Sequence, residues 1–401
     1  MCVSLDYFTT QGLEVHYSVK QPHLPSVIDI LADLVRINSI NCAYANGPGE
    51  AEVGNYVVTF FSAQGIQTRR QSVLPGRDNI LAILPGRNRS RCVLLEAHMD
   101  TVTVEGMTIA PFDPVLDNGK LFGRGSCDTK AGLAGMMYAI ADLKRSGVTP
   151  PCDVWLAAVI DEEYWFRGVS RLCENLEAHA AIVAEPTEMK VVIATKGVLR
   201  WKIVVFGKAA HSSKPQLGVN AITHAARLVM AIDHFHKTLS QVSHPLLGVA
   251  TGNVGIIYGG VQVNFVPDRC SIEIDRRLLP GERATEVLAT YQALLDELHR
   301  HDPFFVAAME APLLVDEALE TSSTSAVVQL ASIIAGEMGL SSIPVGVPYG
   351  SDASKLSRKG IDSIVFGPGS IDQAHAAIEY VDVTQVEQAS MFYQDFIRRF
   401  E

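Results

Sequence analysis

Two histidines and a set of carboxylates stand in this sequence where apolar runs stop. The run Val93-Leu94-Leu95-Glu96-Ala97 leads into His98 and Asp100, residues 154–160 lead into Asp161-Glu162-Glu163, and residues 180–184 lead into Glu185. Each run is short, apolar and bounded by polar residues, the pattern of a buried strand. Alternation along an extended chain puts His98 and Asp100 on one face, so a metal-bound imidazole would have a carboxylate at hand to orient it. Asp128, at the end of Gly123-Arg124-Gly125-Ser126-Cys127-Asp128, and His375, in the loop after an apolar run at 362–366, complete the set.

Imidazole together with carboxylate suits zinc, cobalt or manganese better than calcium. Five donors, His98, Asp128, Glu163, Glu185 and His375, are too many for one tetrahedral zinc. They suit two ions if Asp128 bridges both and each ion keeps one histidine and one terminal carboxylate; such ions sit roughly 3.5–4 Å apart and share a water acidified towards neutrality. Taken singly, each residue is ordinary: His375 could be a solvated loop histidine, and Asp161-Glu162-Glu163 a polar turn. Their coincidence at strand ends argues for a cation, because uncompensated buried charge is costly. Gly123 and Gly125 begin like a dinucleotide-binding loop, but a carboxylate at the sixth position would repel a pyrophosphate. The glycines are read instead as a tight backbone that aims Asp128 inward.

The surrounding pattern supplies elements to hold these groups. Leu24, Val27, Ile30, Leu31, Leu34 and Val35 fall at helical spacing, and a second helix is expected from Ala51 to about Ala63, closed by Gly65. Strands follow at 66–73, 79–84 and 91–97, a helix runs from the Asp128 loop to about Ser146, and further strands fall at 154–160 and 180–184. This alternation predicts an α/β fold with a mostly parallel sheet, in which ligands sit beyond the carboxyl ends of the strands. From Lys196 the order changes to strand, helix, two strands, helix and strand, at 198–206, 219–239, 253–258, 270–278, 282–299 and 304–309. That is the order of a ferredoxin-like α+β module. The expected division is a catalytic domain of 1–195 plus 312–401 interrupted by an inserted domain of 196–311. After the insertion come a helix at 325–338, strands at 342–347 and 362–366, and a closing helix at 384–400.

With 401 residues, 48 % of them apolar, the chain can bury a large core. A net charge of −11 leaves no basic surplus for nucleic acid or anionic lipid. Seven scattered cysteines without a C-x-x-C pair indicate neither a disulfide framework nor a cysteine zinc site. The first residues show no basic and apolar leader pattern, and no run is long enough for a membrane span, so a cytoplasmic setting is expected.

The motifs together resemble the M20 metallopeptidase family. They are His98-Met99-Asp100, Gly123-Arg124-Gly125-x-x-Asp128-x-Lys130, Asp161-Glu162-Glu163, Glu185-Pro186-Thr187, Ala210-His211-Ser212-Ser213, Asn264-x-Val266-Pro267 and Gly367-Pro368-Gly369-Ser370-x-x-Gln373-Ala374-His375. Within that family the chain looks most like the acetylornithine deacetylases, aminoacylases and succinyl-diaminopimelate desuccinylases. The resemblance implies a two-zinc catalytic domain, an inserted lid that also forms a homodimer, and hydrolysis of an amide beside a free carboxylate. The expected activity is removal of an acyl group, acetyl first, from an N-acyl amino acid such as N-acetylornithine, with a place in arginine biosynthesis. A dipeptidase, a carboxypeptidase or a desuccinylase is the alternative on the same scaffold.

By the same resemblance Glu162 is the general base and Asp100 the residue that orients His98. His211 becomes an oxyanion-stabilising group that reaches the partner subunit's site. Arg277 and Asn264 grip the substrate carboxylate, and the loop Gly350-Ser351-Asp352 donates backbone hydrogen bonds to it. Arg276, next to Arg277, is expected on the solvated face of its strand. Three departures flank these motifs: Thr129 in place of methionine, Tyr164-Trp165-Phe166 in place of small residues, and Ala376-Ala377-Ile378 in place of a polar run. None removes a ligand or the base, and the aromatic, apolar character of the last two suits a substrate less polar than acetylornithine. A metal-binding protein without catalysis on the same fold would have no use for Glu162.

Overall fold

A computed structural model describes residues 23–401. The N-terminal stretch 1–22, with Cys2 and the absent leader pattern, lies outside the described residues. The larger sheet has the strand order Gln67–Leu74, Arg77–Leu84, Cys152–Val159, Asn88–His98, Ala180–Val183, Ser363–Val365, Val192–Thr195 and Leu319–Glu320, with Val345–Val347 also paired to Val192–Thr195. Its four central strands, from Cys152–Val159 to Ser363–Val365, run parallel, whereas both flanks are largely antiparallel. The parallel part is the part whose strands are apolar on both faces: Val93, Leu94 and Leu95 are all fully buried, as are Val154, Leu156 and Ile182.

Register decides what meets at the sheet edge. His98 pairs with Val159, and Glu96 pairs with Val183. Glu185 therefore emerges level with His98, and Asp161-Glu162-Glu163 begins just above it. The helix Lys130–Arg145 starts two residues after Asp128 and lies buried along most of its length. Lys130 itself is fully buried and donates from Nζ to the carbonyls of Leu34 and Ile37, at the end of the helix Val27–Arg36.

A small three-stranded sheet, Val115–Asp117, Lys120–Phe122 and Tyr380–Asp382, was not expected from the sequence. Phe122 pairs with Tyr380, so the segment just before Asp128 is clipped to the segment just after His375. Gly123 and Gly125 take positive φ, and a Cβ on either would lie 2.5 Å from Val35 Cγ1 or 2.8 Å from Thr101 Cγ2 respectively. The tight backbone thus has a steric cause.

The second sheet is wholly antiparallel, with Thr251–Gly259, Arg269–Leu278, Gly197–Phe206 and Val306–Met309 in spatial order second, third, first, fourth. Helices Ala221–Thr238 and Ala284–His301 supply residues to its core, which includes Trp201, Ile203, Leu228, Ile272, Tyr291 and Leu295. The short strand Leu314–Asp316 adds to Gly197–Phe206 and carries this sheet past residue 311. The expectation for Arg276 is corrected here. Arg276 is 1 % exposed on the core face with Cys270, Ile272 and Ile274, and it donates to Glu282 and to the Thr251 carbonyl. Arg277 occupies the half-exposed face, where it pairs with Asp275 at 2.9 Å. Alternation was read correctly, but a buried guanidinium with its own carboxylate and carbonyl partners can stand on a core face.

Candidate metal centre

Asp128 lies between two histidines. Its Oδ1 is 3.1 Å from His98 Nε2 and its Oδ2 is 3.3 Å from His375 Nε2. Each imidazole has a further carboxylate of its own: Glu185 at 4.0 Å from His98 and Glu163 at 3.1 Å from His375. Glu162 joins His98 and Glu185 in a group whose potential ligand atoms lie within 4.8 Å of one another, and Glu163 forms a second such group with His98 and Asp128. The structure therefore brings six of the side chains picked from the sequence into one place.

Without a cation this cluster is poorly balanced. Burial pushes the Glu185 and Glu162 carboxyls up, the first helped by the charge of Asp128, and it brings Glu163 up to about 7. Burial opposes protonation of both imidazoles, but the facing carboxylates outweigh it, raising His98 and bringing His375 up to about 11. Asp128, despite its burial, is held below the usual carboxylate range by those two imidazoles. Four carboxylates and two imidazoles gathered in a largely buried space fit divalent cations, which would replace those protons.

His375, brought up to about 11, and part of the Glu163 population, brought up to about 7, hold protons at neutral pH in the metal-free protein, so metal binding must release them. Affinity should rise with pH from 6 to 8, about tenfold per pH unit for each proton displaced. Calorimetric titration of zinc into chelator-stripped protein, in buffers of different ionisation enthalpy, measures the proton count; an affinity independent of pH would contradict this account.

The elements around the cluster explain its shape. His98 Nδ1 donates to the backbone carbonyl of Asp100 at 3.0 Å, while the Asp100 carboxylate is 3.7 Å away. That carboxylate instead accepts from the backbone N–H groups of Glu162 and Glu163, both at 3.1 Å, and from Asn41 Nδ2 at 2.8 Å. Asp100 thus fixes the loop carrying the acidic pair as well as standing near His98. Asn41 also donates to Asp161, at 2.8 Å, which is held in turn by Arg77 and Arg167. Thr129, one of the departures, donates to the carbonyl of Ala184 at 3.1 Å and so ties the Asp128 loop to the Glu185 strand.

One brace escaped the sequence reading altogether. Glu379, fully buried, accepts from the N–H groups of Cys127 at 2.9 Å and Asp128 at 3.1 Å and pairs with Arg124 at 2.6 Å. The sequence marks it only as an acid four residues after His375 and just ahead of a short strand. Replacing Glu379 by alanine leaves the buried Arg124 unpaired, which should cost about 3–5 kcal/mol. Urea unfolding of Glu379→Ala measures that loss, and Glu379→Gln, which still accepts hydrogen bonds, should lose less.

The remaining candidates are not members of the two ligand groups. His211, exposed, has its ring on Ser213 Oγ at 2.8 Å and pairs across a two-residue strand with Phe265. Asn264, next to Phe265, is exposed and accepts from Ser212 N through its carbonyl. His211 and Asn264 are thus neighbours, while Arg277 is held by Asp275 on the second sheet. Gly350 and Ser351 precede the helix Ala353–Arg358, and a Cβ at Gly350 would lie 2.3 Å from Asp316 Oδ2. Ser351 is buried and its carbonyl accepts from Ser354 Oγ at 3.1 Å.

Comparison with known proteins agrees with this geometry. Residues 94–399 match the family described as peptidase family M20/M25/M40. An acetylornithine deacetylase of Myxococcus xanthus is 30 % identical over 341 residues, covering 82 % of this chain and 87 % of that protein. A probable succinyl-diaminopimelate desuccinylase of Staphylococcus aureus is 27 % identical over 385 residues, covering 88 % and 92 %. In fold, a tripeptidase from Staphylococcus aureus superposes with a TM-score of 0.78 at 22 % identity, over 93 % of this chain and 97 % of that one. The chain belongs to peptidase family M20/M25/M40 and is a metal-dependent hydrolase.

Proposed function

We propose that the protein removes the acyl group, acetyl first, from an N-acyl amino acid, with two divalent ions at the cluster, zinc foremost and cobalt or manganese as substitutes. The observation that carries this reading is the placement of Asp128 between two imidazoles, each with its own carboxylate, and of Glu162 beside them as an acid not needed to complete either set. His98 and Glu185 would hold one ion, His375 and Glu163 the other, with Asp128 between. When bound, the ions supply Lewis acidity to the scissile carbonyl and acidify water. Glu162 takes the proton of the attacking water at its carboxylate and passes it to the departing amine nitrogen. Asp100 keeps Glu162 in place through the 3.1 Å bond to its backbone N–H.

Residues 196–311 serve in this proposal as a lid that pairs two copies of the chain, with His211 reaching the partner's centre and Arg277, Asn264, Gly350 and Ser351 holding the substrate carboxylate. Support for pairing comes from the edge strand Thr251–Gly259, where Ile256, Ile257 and Tyr258 are exposed. The six described cysteines are all free thiols, in keeping with a reducing cytoplasm. A place in arginine biosynthesis would follow if acetylornithine proved to be the substrate.

Hydrolysis of N-acetyl, N-succinyl and N-formyl amino acids and of dipeptides by zinc-loaded protein tests the proposal. N-acetyl amino acids are expected to give the highest kcat/KM. Turnover of dipeptides alone would replace the deacylase with a dipeptidase or carboxypeptidase, and preference for N-succinyl substrates would replace it with a desuccinylase.

A further inference from the structure

Next to the carboxylates the chain places three aromatic rings that its own core does not use. Tyr44 lies three residues after Asn41, and Tyr164 and Trp165 directly follow Glu163. Tyr44 meets Tyr164 edge to face with centroids 5.7 Å apart, and Tyr164 meets Trp165 at 4.1 Å. Burial, and after it the charge of Glu163, pushes the Tyr44 hydroxyl up to about 12. Tyr164 and Trp165 are nevertheless 39 % and 44 % exposed. Rings of this size left in solvent beside a reactive centre present contact area to whatever enters it.

The cluster is held as well as exposed. The guanidinium of Arg167 sits 4.4 Å from the centroid of Trp165 and is fastened to Asp161, the residue that opens the Glu162–Glu163 loop. Its charge also bears on what can bind. One cation already lies over the Trp165 ring, so an ammonium group brought to the same ring meets like charge, whereas a neutral apolar group does not.

We propose that Tyr44, Tyr164 and Trp165 form a substrate-binding wall for an aromatic or branched aliphatic group next to the scissile amide, so that the enzyme selects apolar N-acyl amino acids over small or cationic ones. The wall deepens the amide-hydrolase reading and rests on it. The apolar group can belong to the amino acid or to the acyl chain, and the two are separated by choice of substrate.

Zinc-loaded protein is assayed with N-acetyl-L-phenylalanine, N-acetyl-L-leucine, N-acetyl-L-ornithine and N-acetylglycine, and with N-benzoylglycine as the acyl-side arm. The kcat/KM ratio of an apolar substrate to N-acetylglycine should be at least ~30 in one of the two arms, which identifies the side the wall faces, and acetylornithine should fall with glycine. That ratio should drop by ~10-fold or more in Trp165→Ala and Tyr164→Ala and stay within about threefold in Trp165→Phe, which keeps an aromatic face. A ratio near one in both arms, or one unchanged in the Trp165→Ala/Tyr164→Ala double variant, would overturn the wall. Should only dipeptides be cleaved, the deacylase reading fails by itself; Ala-Phe against Ala-Gly in the same variants then reads the wall, with the same ratios deciding.

Discussion

Glu162→Gln should lower kcat by ~10²–10⁴-fold while leaving metal content unchanged, because general acid–base assistance is what the substitution removes. The adjacent Glu163 makes the comparison informative. Both residues have backbone N–H groups held by the same Asp100 carboxylate at 3.1 Å, so the loop is fixed alike for each. Their side chains diverge: Glu163 reaches His375 at 3.1 Å, whereas Glu162 is grouped with His98 and Glu185. Glu163→Gln should therefore lose metal as well as activity, and Glu162→Gln activity alone. Metal analysis of both variants after gel filtration, beside steady-state kinetics, separates the roles. Substantial turnover by Glu162→Gln would sink its assignment as the base.

Asp128→Ala should abolish binding of both ions rather than weaken one. Removing residues that merely orient a ligand costs about 10–100-fold in metal affinity, and a side chain shared between two imidazole sets should exceed that range. Asp128 is also where the two halves of the cluster meet, 3.1 Å from His98 and 3.3 Å from His375. Zinc titration monitored by calorimetry gives the stoichiometry directly. Retention of one tightly bound ion by Asp128→Ala would mean that a single histidine and its carboxylate suffice, and the bridged arrangement would be wrong.

The parts of this molecule legible from the sequence are those in which local pattern and tertiary position coincide. Apolar runs at 93–97, 154–160 and 180–184 had to be central strands, and parallel strands of that kind deliver their next residues to one edge. His98, Glu162, Glu163 and Glu185 follow from that, and in the structure they share one place with Asp128 and His375. What stayed hidden depends on partners far along the chain. Glu379 is a brace only because it meets Cys127 and Asp128 across 252 and 251 residues. Asn41 likewise acquires its role from Asp100 and Asp161. The Val115–Asp117 and Lys120–Phe122 strands have three residues each; Val115 and Leu116 are more than half exposed and Leu121 is the one buried residue of the second, too little for an alternation pattern to show. The burial of Arg276 is not legible locally, because a charged residue in a strand reads as solvated unless its partners, here Glu282 and the Thr251 carbonyl, are known.

The clip between Phe122 and Tyr380 joins segments that are far apart in the chain. Asp128, Glu163 and Glu185 are synthesised early, and the chain then makes the whole second sheet before His375 and Glu379 appear. The first imidazole and the four carboxylates therefore come from one side of the second sheet in the chain, and the second imidazole and the brace from the other, so that pairing of distant strands closes the cluster. Because one clip anchors both the Asp128 loop and the His375 loop, loosening the Phe122–Tyr380 pairing should disturb the two halves of the cluster together.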